Sequence, residues 1–237
     1  MDKLNLDQHI SNKFNEELEE ARQHLMQMGG MVEQQVKNSI TAIIEADSAL
    51  AQEIRAKDES VNDMEMDIDE ECARILALRH PAASDLRFVL AVTKAVNDLE
   101  RIGDEASKIA KQAIELTENG AAPKGYIEIR HIGNLVVSML NKALDAFARS
   151  DAELALDVLQ DDKVVNMEYA SAMREMVTLM MEDPRMISRA LNVMWALRSL
   201  ERIGDHSQNI CEYVIYLVKG KDIRHKKLSK VKKAVKK

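Results

Sequence analysis

Four acidic residues offer the most chemistry. Glu100 and Asp104, and again Glu201 and Asp205, stand four residues apart. On a helix that spacing puts both carboxylates on one face, one turn from each other, where they repel by a few tenths of a kcal/mol unless a cation lies between them. A second ladder, Asp58, Asn62, Glu65 and Asp69, recurs at intervals of four, three and four, so oxygen donors of two neighbouring helices can converge. Hard oxygen ligands suit divalent or trivalent ions of Mg, Mn, Fe or Zn, with Glu100, Asp104, Glu201, Asp205, Glu65 and Asp69 as the expected ligands. The competing reading makes these acids solvated partners of Arg101, Arg202 and Lys108.

Asp162 and Asn166 repeat Asp58 and Asn62, but Tyr169 and Met173 stand where Glu65 and Asp69 would recur. A second metal site should therefore be poorer in ligands than the first. On a helical wheel, Val193, Leu197, Leu200, Gly204, Ser207 and Cys211 form an inner arc. Glu201 and Asp205 border that arc, and Gly204 lets a neighbouring helix or an ion come close.

Catalytic patterns are missing. The chain has no P-loop, GxSxG or HExxH motif, and its one ExxH pair, Glu128 with His131, falls at a helix start. Glu20 with His24 is a lone pair, and His206 is expected on the outer side of its helix. The chain is thus expected not to be an enzyme, the alternative being a metal-dependent phosphatase or hydrolase.

The elements that must position these residues are helices. Only 3% of residues are aromatic, and 8 Gly and 3 Pro leave few turns, while Ala, Leu, Ile, Val and 14 Met make up most of a 46% apolar content. Helical periodicity runs through 7–46, 49–79, 84–117, 126–149, 152–181 and 186–218. Ser84, Ser150 with Glu153, and Asp183 with Pro184 are the expected start signals of the third, fifth and sixth helices. The glycines and proline of 119–125 mark a linker.

Across that linker the chain repeats itself. Gly29 corresponds to Gly133, Asp47 to Asp151 and Val61-Asn62 to Val165-Asn166, all at an offset of 104 residues; Leu99 to Asp104 then match Leu200 to Asp205, six identities at an offset of 101. The expected fold is all-α: two tandem antiparallel three-helix bundles related by internal duplication, spanning 1–118 and 126–220. Gly29 and Gly133 sit inside helices, which implies close backbone approach. The methionines are expected as core filler, and Cys72 and Cys211 as small core residues.

The last 19 residues hold ten Lys or Arg against one acid, within a net charge of −7. The rest of the chain is correspondingly acidic, which disfavours nucleic acid and favours cations or basic protein surfaces. Residues 221–237 are expected as a basic, solvated and mobile tail. No apolar run reaches the roughly 18 to 20 residues of a membrane helix and no signal-peptide core opens the chain, so a cytoplasmic location without membrane insertion is expected.

At the two Leu-Glu-Arg-Ile-Gly-Asp segments the chain resembles the PhoU family of phosphate-specific transport system accessory proteins. The likeness extends to Gly29-Gly30-Met31-Val32-Glu33, Ser84 to Arg87, Leu144 to Arg149, Met180 to Asp183, Gln208 to Glu212 and Tyr216 to Gly220. It implies a homodimeric negative regulator of the phosphate-starvation response. Such a regulator sits between the ATPase subunit of the phosphate ABC transporter and the phosphate sensor histidine kinase. It also implies metal clusters at the E/DxxxD positions Glu100, Asp104, Glu201 and Asp205.

Overall fold

The computed structural model describes residues 12–118 and 126–235. The expected linker 119–125 and the first residues of the first expected helix lie outside the described residues. Within them the chain forms α1 (Asn12–Glu45), α2 (Ser48–Ala56), α3 (Asp58–Arg79), α4 (Ala83–Glu118), α5 (Tyr126–Arg149), α6 (Ala152–Glu182), α7 (Ile187–Lys219) and α8 (Leu228–Val235). A short 3-10 turn, Pro184–Met186, leads into α7. No strand occurs among the described residues, and the fold is all-α, as the periodicity predicts. Helices α1 to α4 pack on one another, as do α5 to α7, giving the two tandem bundles.

The second expected helix is two helices. It breaks at Lys57, whose N–H is shared between Glu53 O and Ile54 O at 3.1 and 3.2 Å, and α3 restarts at Asp58. No proline or glycine signals this break. In the second half the corresponding stretch runs straight through α6. The break puts Asp58 in the first turn of α3, where free backbone N–H groups favour an anion.

The helix starts differ in detail from expectation. Asp151, not Ser150, caps α6: its Oδ1 accepts from Glu153 N at 2.9 Å and Leu154 N at 3.0 Å. Ser150 instead takes a left-handed conformation with φ 52°. Asp47, at the corresponding place, caps α2 through Leu50 N at 2.9 Å. Ser84 lies inside the first turn of α4, where its Oγ donates to Asp85 Oδ1 at 3.4 Å. Asp183 does cap the turn that Pro184 opens, accepting from Arg185 N at 3.1 Å.

A pseudo-twofold arrangement joins the bundles. A Cβ on Gly29 would stand 2.6 Å from Leu144 Cδ2, and one on Gly133 would stand 2.9 Å from Ile40 Cδ1. Ile40 and Leu144 are themselves equivalent, so each copy's glycine receives the other copy's aliphatic side chain and α1 runs antiparallel to α5. The missing side chains let these two backbones approach. Helices α4 and α7 pack along each other in the same antiparallel sense, with Phe88 and Phe147 meeting nearby at 6.5 Å between ring centroids.

Cys72 and Cys211 are buried free thiols, and burial pushes Cys72 up to about 11. Met28, Met139 and Met176 fill core positions as expected, whereas Met66, Met167 and Met181 are exposed. The basic segment departs from expectation. Leu228–Val235 is an amphipathic helix with Val231 and Val235 buried against α6, and Lys232 Nζ donates to Gln160 Oε1 at 2.7 Å. The lysine count hid the spacing of the apolar residues at 228, 231 and 235, which gives a helix one buried stripe.

Candidate functional site: the acidic helix faces

In the first bundle, antiparallel packing of α3 on α4 brings the two ladders together. Asn97 Nδ2 donates to Glu65 Oε1 at 3.2 Å, which sets the register. Moving down α3 and up α4 from that pair brings Asp58 beside Asp104, with Glu100 between the two ends. The electrostatics agree. Glu100 is raised above the usual carboxylate range by burial first, then by Asp104, Glu65 and Asp58. Burial also raises Asp58, with Asp104 adding to it, and raises Glu65, with Asp69 and Asp104 adding. Four carboxylates thus share one half-buried face and repel one another.

Asp69 lies a turn beyond Glu65, on the side away from Asp104. Its carboxyl is raised by burial alone, and its Oδ1 is buried without a hydrogen-bond partner among the described residues. The expected ladder is therefore present, but Asp58 is the closer associate of the Glu100 and Asp104 pair.

The second face is smaller and uneven in depth, with Asp162 buried, Glu201 partly buried and Asp205 exposed. Asp162 on α6 meets Glu201 and Asp205 on α7, and burial followed by Asp205 pushes Asp162 up to about 6. Asn166 Nδ2 donates to Asp162 Oδ2 at 2.9 Å, while Asp162 Oδ1 is buried with no partner among the described residues. Burial raises Glu201, with Asp205 adding, and raises Asp205 as well.

The surrounding cations compensate the first face only loosely and the second face through one direct pair. Arg101 Nε lies 3.5 Å from Glu100, Lys108 Nζ lies 3.9 Å from Asp104, and Arg198 Nη1 lies 2.8 Å from Glu201. The carboxylate side chains of Glu100, Asp104 and Glu201 are 18%, 35% and 12% exposed, whereas their cationic partners reach in from solvent. Exposed pairs of this kind contribute little. Arg202 does not pair with Glu201; its Nε lies 3.3 Å from Glu105 on the neighbouring bundle.

The donor set of carboxylates and amides fits a hard cation, and the orphaned buried carboxylate oxygens of Asp69 and Asp162 are what such an ion would satisfy. Those oxygens are not gathered about a point: among the described residues no three His, Cys, Asp or Glu side chains stand ready to hold a metal ion. Side-chain rotation would have to close the site. Of the two glycines only Gly103 stands at a close approach, and the approach expected at Gly204 is not found, since a side chain there would make ordinary contacts. A Cβ at Gly103 would stand 3.3 Å from Gln35 Oε1 and 3.9 Å from Asp58 Oδ1, and one at Gly204 would meet Val165 Cγ1 at 3.6 Å.

Asp98 escapes the sequence reading altogether. It is buried on α4 and accepts from Asn209 Nδ2 at 3.0 Å, Tyr213 Oη at 2.8 Å and His206 Nδ1 at 2.7 Å. His206, expected on the outer side of its helix, is only 16% exposed. The outer side of one three-helix bundle is here the inner side of the joint between two, which a single-helix wheel cannot represent. Asn97 was missed as well, although its place three residues before Glu100 on the same helix face was a usable signal.

Comparison with known proteins shows the family. A model of the PhoU domain matches residues 25–113 and 129–214, one match in each bundle. The phosphate-specific transport system accessory protein PhoU homolog of Pseudomonas aeruginosa is 60% identical over 235 residues, covering 99% of this chain and 97% of that protein. The PhoU accessory protein of Escherichia coli (strain K12) is 48% identical over 225 residues, covering 95% and 93%. The crystal structure of PhoU from Pseudomonas aeruginosa superposes with a TM-score of 0.86 at 62% identity, covering 88% of this chain and 100% of that one. PhoU from Streptococcus pneumoniae, a phosphate transport system regulatory protein, gives 0.82 at 33% identity, covering 88% and 98%. With a family model matched in both halves and relatives this similar over nearly its full length, the chain belongs to the PhoU family.

Proposed function

We propose that this protein regulates phosphate transport by binding other proteins. It represses the phosphate-starvation response by coupling the ATPase subunit of the phosphate ABC transporter to the phosphate sensor histidine kinase. It acts as a cytoplasmic homodimer whose acidic faces bind divalent or trivalent metal ions. The observation that carries this reading is the pair of carboxylate-rich faces, duplicated at equivalent places and with more acids than paired cations, on a chain whose relatives are named as accessory proteins of phosphate transport. Crowded, partly desolvated acids are costly alone, and a cation or a basic partner surface lowers that cost. No helix among the described residues is long and apolar enough to cross a membrane, consistent with a peripheral partner.

In the first bundle Glu100, Asp104, Asp58 and Glu65 would hold the metal, with Asp69 at the margin; in the second, Glu201, Asp205 and Asp162. A bound cation supplies positive charge that bridges these faces to a partner. Relaying the transporter's state as a change in kinase affinity needs only about 1 to 3 kcal/mol of coupling. Deletion of the gene should leave phosphate-responsive genes active in phosphate-rich medium, and a copy carrying Glu100→Gln and Asp104→Asn should restore repression poorly. Normal repression in the deletion strain would refute the regulatory role; full rescue by the double variant would refute the role of the acidic face.

A further inference from the structure

Apolar contacts hold the basic C-terminal segment against the second bundle. Ile223, just past the turn at Gly220, is buried, as are Val231 and Val235 of α8, and Leu228 packs on the same core. A helix of eight residues does not persist alone in water, so the order of α8 comes from its contact with α6. With the apolar stripe facing inward, about 100° per residue places Lys230 and Lys233 roughly 130° and 170° away from it. Both are exposed, as are Lys226 and Lys227 in the turn that leads into α8. None of these four has an ion-pair partner among the described residues, whereas Lys232 is half-buried and donates to Gln160.

The neighbouring acids offset this charge only in part. Asp222 is held by Arg224, whose Nη2 lies 2.6 Å from Oδ2 and whose Nε lies 3.1 Å from both carboxylate oxygens. Asp162 is buried and Glu212 half-buried beside Lys226 and Lys227, so those two lysines are partly compensated. Lys230 and Lys233 stand clear of any such acid in the contacts of α8. The last 19 residues, with ten Lys or Arg against one acid, thus present a fixed basic surface on an otherwise acidic chain.

What that surface fits follows from its make-up. Between 219 and 235 no large apolar or aromatic side chain is exposed, so it offers neither a stacking platform for bases nor an anchor for a folded protein. Its one arginine is occupied by Asp222, and its free charges are the compact, hydrated ammonium groups of lysine, which lack the fork that grips a single phosphate. Attraction to a plane of anionic headgroups needs neither anchor nor fork, only several positive charges on one side. The acidic remainder of the chain is no obstacle, because physiological salt screens its repulsion within about 8 Å.

We propose that the outward side of the C-terminal segment docks on an anionic lipid bilayer. Lys226, Lys227, Lys230 and Lys233 lie against the headgroups, and α8 does not insert, since its apolar stripe is engaged with α6. This surface is separate from the acidic faces, and its role does not depend on the regulatory reading above.

The test is co-sedimentation of the full chain with phosphatidylcholine vesicles, with and without phosphatidylglycerol, in EDTA so that no metal bridges the acidic faces to lipid phosphate. Binding only to the vesicles that contain phosphatidylglycerol is expected, falling as salt is raised. A lysine near an anionic surface contributes about fivefold to partition, so combined Lys226→Gln, Lys227→Gln, Lys230→Gln and Lys233→Gln should lower it by about 100-fold once the offset from Asp162 and Glu212 is allowed for. Removing the same charge from the first bundle, with Lys13→Gln, Lys37→Gln, Lys57→Gln and Lys111→Gln, should change it by less than about threefold, since those groups lie beyond the screening length of the docked surface. In the unaltered protein a paramagnetic headgroup lipid should broaden the amide resonances of residues 226–233 and spare those of α3. The proposal is overturned by no sedimentation with either vesicle, by equal binding to both, by unchanged partition of the C-terminal variant, or by an equal loss in the first-bundle variant. Broadening located elsewhere, or tighter binding to duplex DNA than to the anionic vesicles at the same salt, would overturn it as well.

Discussion

The two acidic faces occupy equivalent places on equivalent helices and yet differ in kind. The first gathers Asp58, Glu65, Glu100 and Asp104 on a half-buried surface, with Asn97 and Asp69 alongside. The second keeps Asp162, Glu201 and Asp205, and its deepest member is buried enough to be pushed up to about 6. Duplication preserved the register of the carboxylates on α4 and α7 and let the opposing helix diverge. Where α3 is broken at Lys57 it offers a ladder of acids; where α6 is continuous, Tyr169 and Met173 close the ladder off. The first face is built to share charge among many oxygens, the second to strain one carboxylate.

The sharpest way to break that comparison is metal titration. Glu100→Gln with Asp104→Asn should lower Mn affinity by about 100-fold, and Glu201→Gln with Asp205→Asn by about tenfold, because fewer oxygens remain to be gathered in the second bundle to begin with. Equal losses, read by calorimetry, would mean that the faces are equivalent after all.

The joint between the copies is also unequal, for Asp98 corresponds to Ser199 and His206 to Glu105. Asp98→Ala should destabilise the protein by about 3 kcal/mol in urea unfolding, since His206, Asn209 and Tyr213 lose their common acceptor. Ser199→Ala should cost well under half of that. The glycines sharpen the same contrast: Gly29→Ala, forced onto Leu144, should cost about 1 to 3 kcal/mol, whereas Gly204→Ala meets only ordinary contacts and should gain up to about 1 kcal/mol of helix stability.

A smaller effect separates the faces by pH. Asp162 binds its proton more tightly in the folded than in the unfolded chain, so its favourable contribution is full below about pH 4 and is lost as pH rises through about 6. In EDTA, Asp162→Asn should therefore raise stability by roughly 1 to 2 kcal/mol at pH 7.5 and by little at pH 4. Asp58→Asn should do the same more weakly, as read from thermal midpoints at the two pH values.

Much of this was legible beforehand. The helices, their doubling and the four paired carboxylates follow from spacing, because a helix repeats its faces every three to four residues and the repeated hexapeptide fixes the correspondence. The break at Lys57 was not legible, since neither proline nor glycine stands there and helical periodicity runs on through it. Asp47 and Asp151 stand as equivalent acids at equivalent caps, whereas Ser150 with Glu153 makes the capping-box pattern that hides Asp151.

The sequence by itself determined the all-α class, the two copies and which carboxylates share a helix face, because these depend on local periodicity. Only the tertiary structure decided that Asp98 and His206 meet, that Asp58 rather than Asp69 crowds Asp104, and that the basic C-terminal segment docks on α6. Those facts rest on how one helix sits against another, and the angle and register of such contacts are set by side chains far apart along the chain.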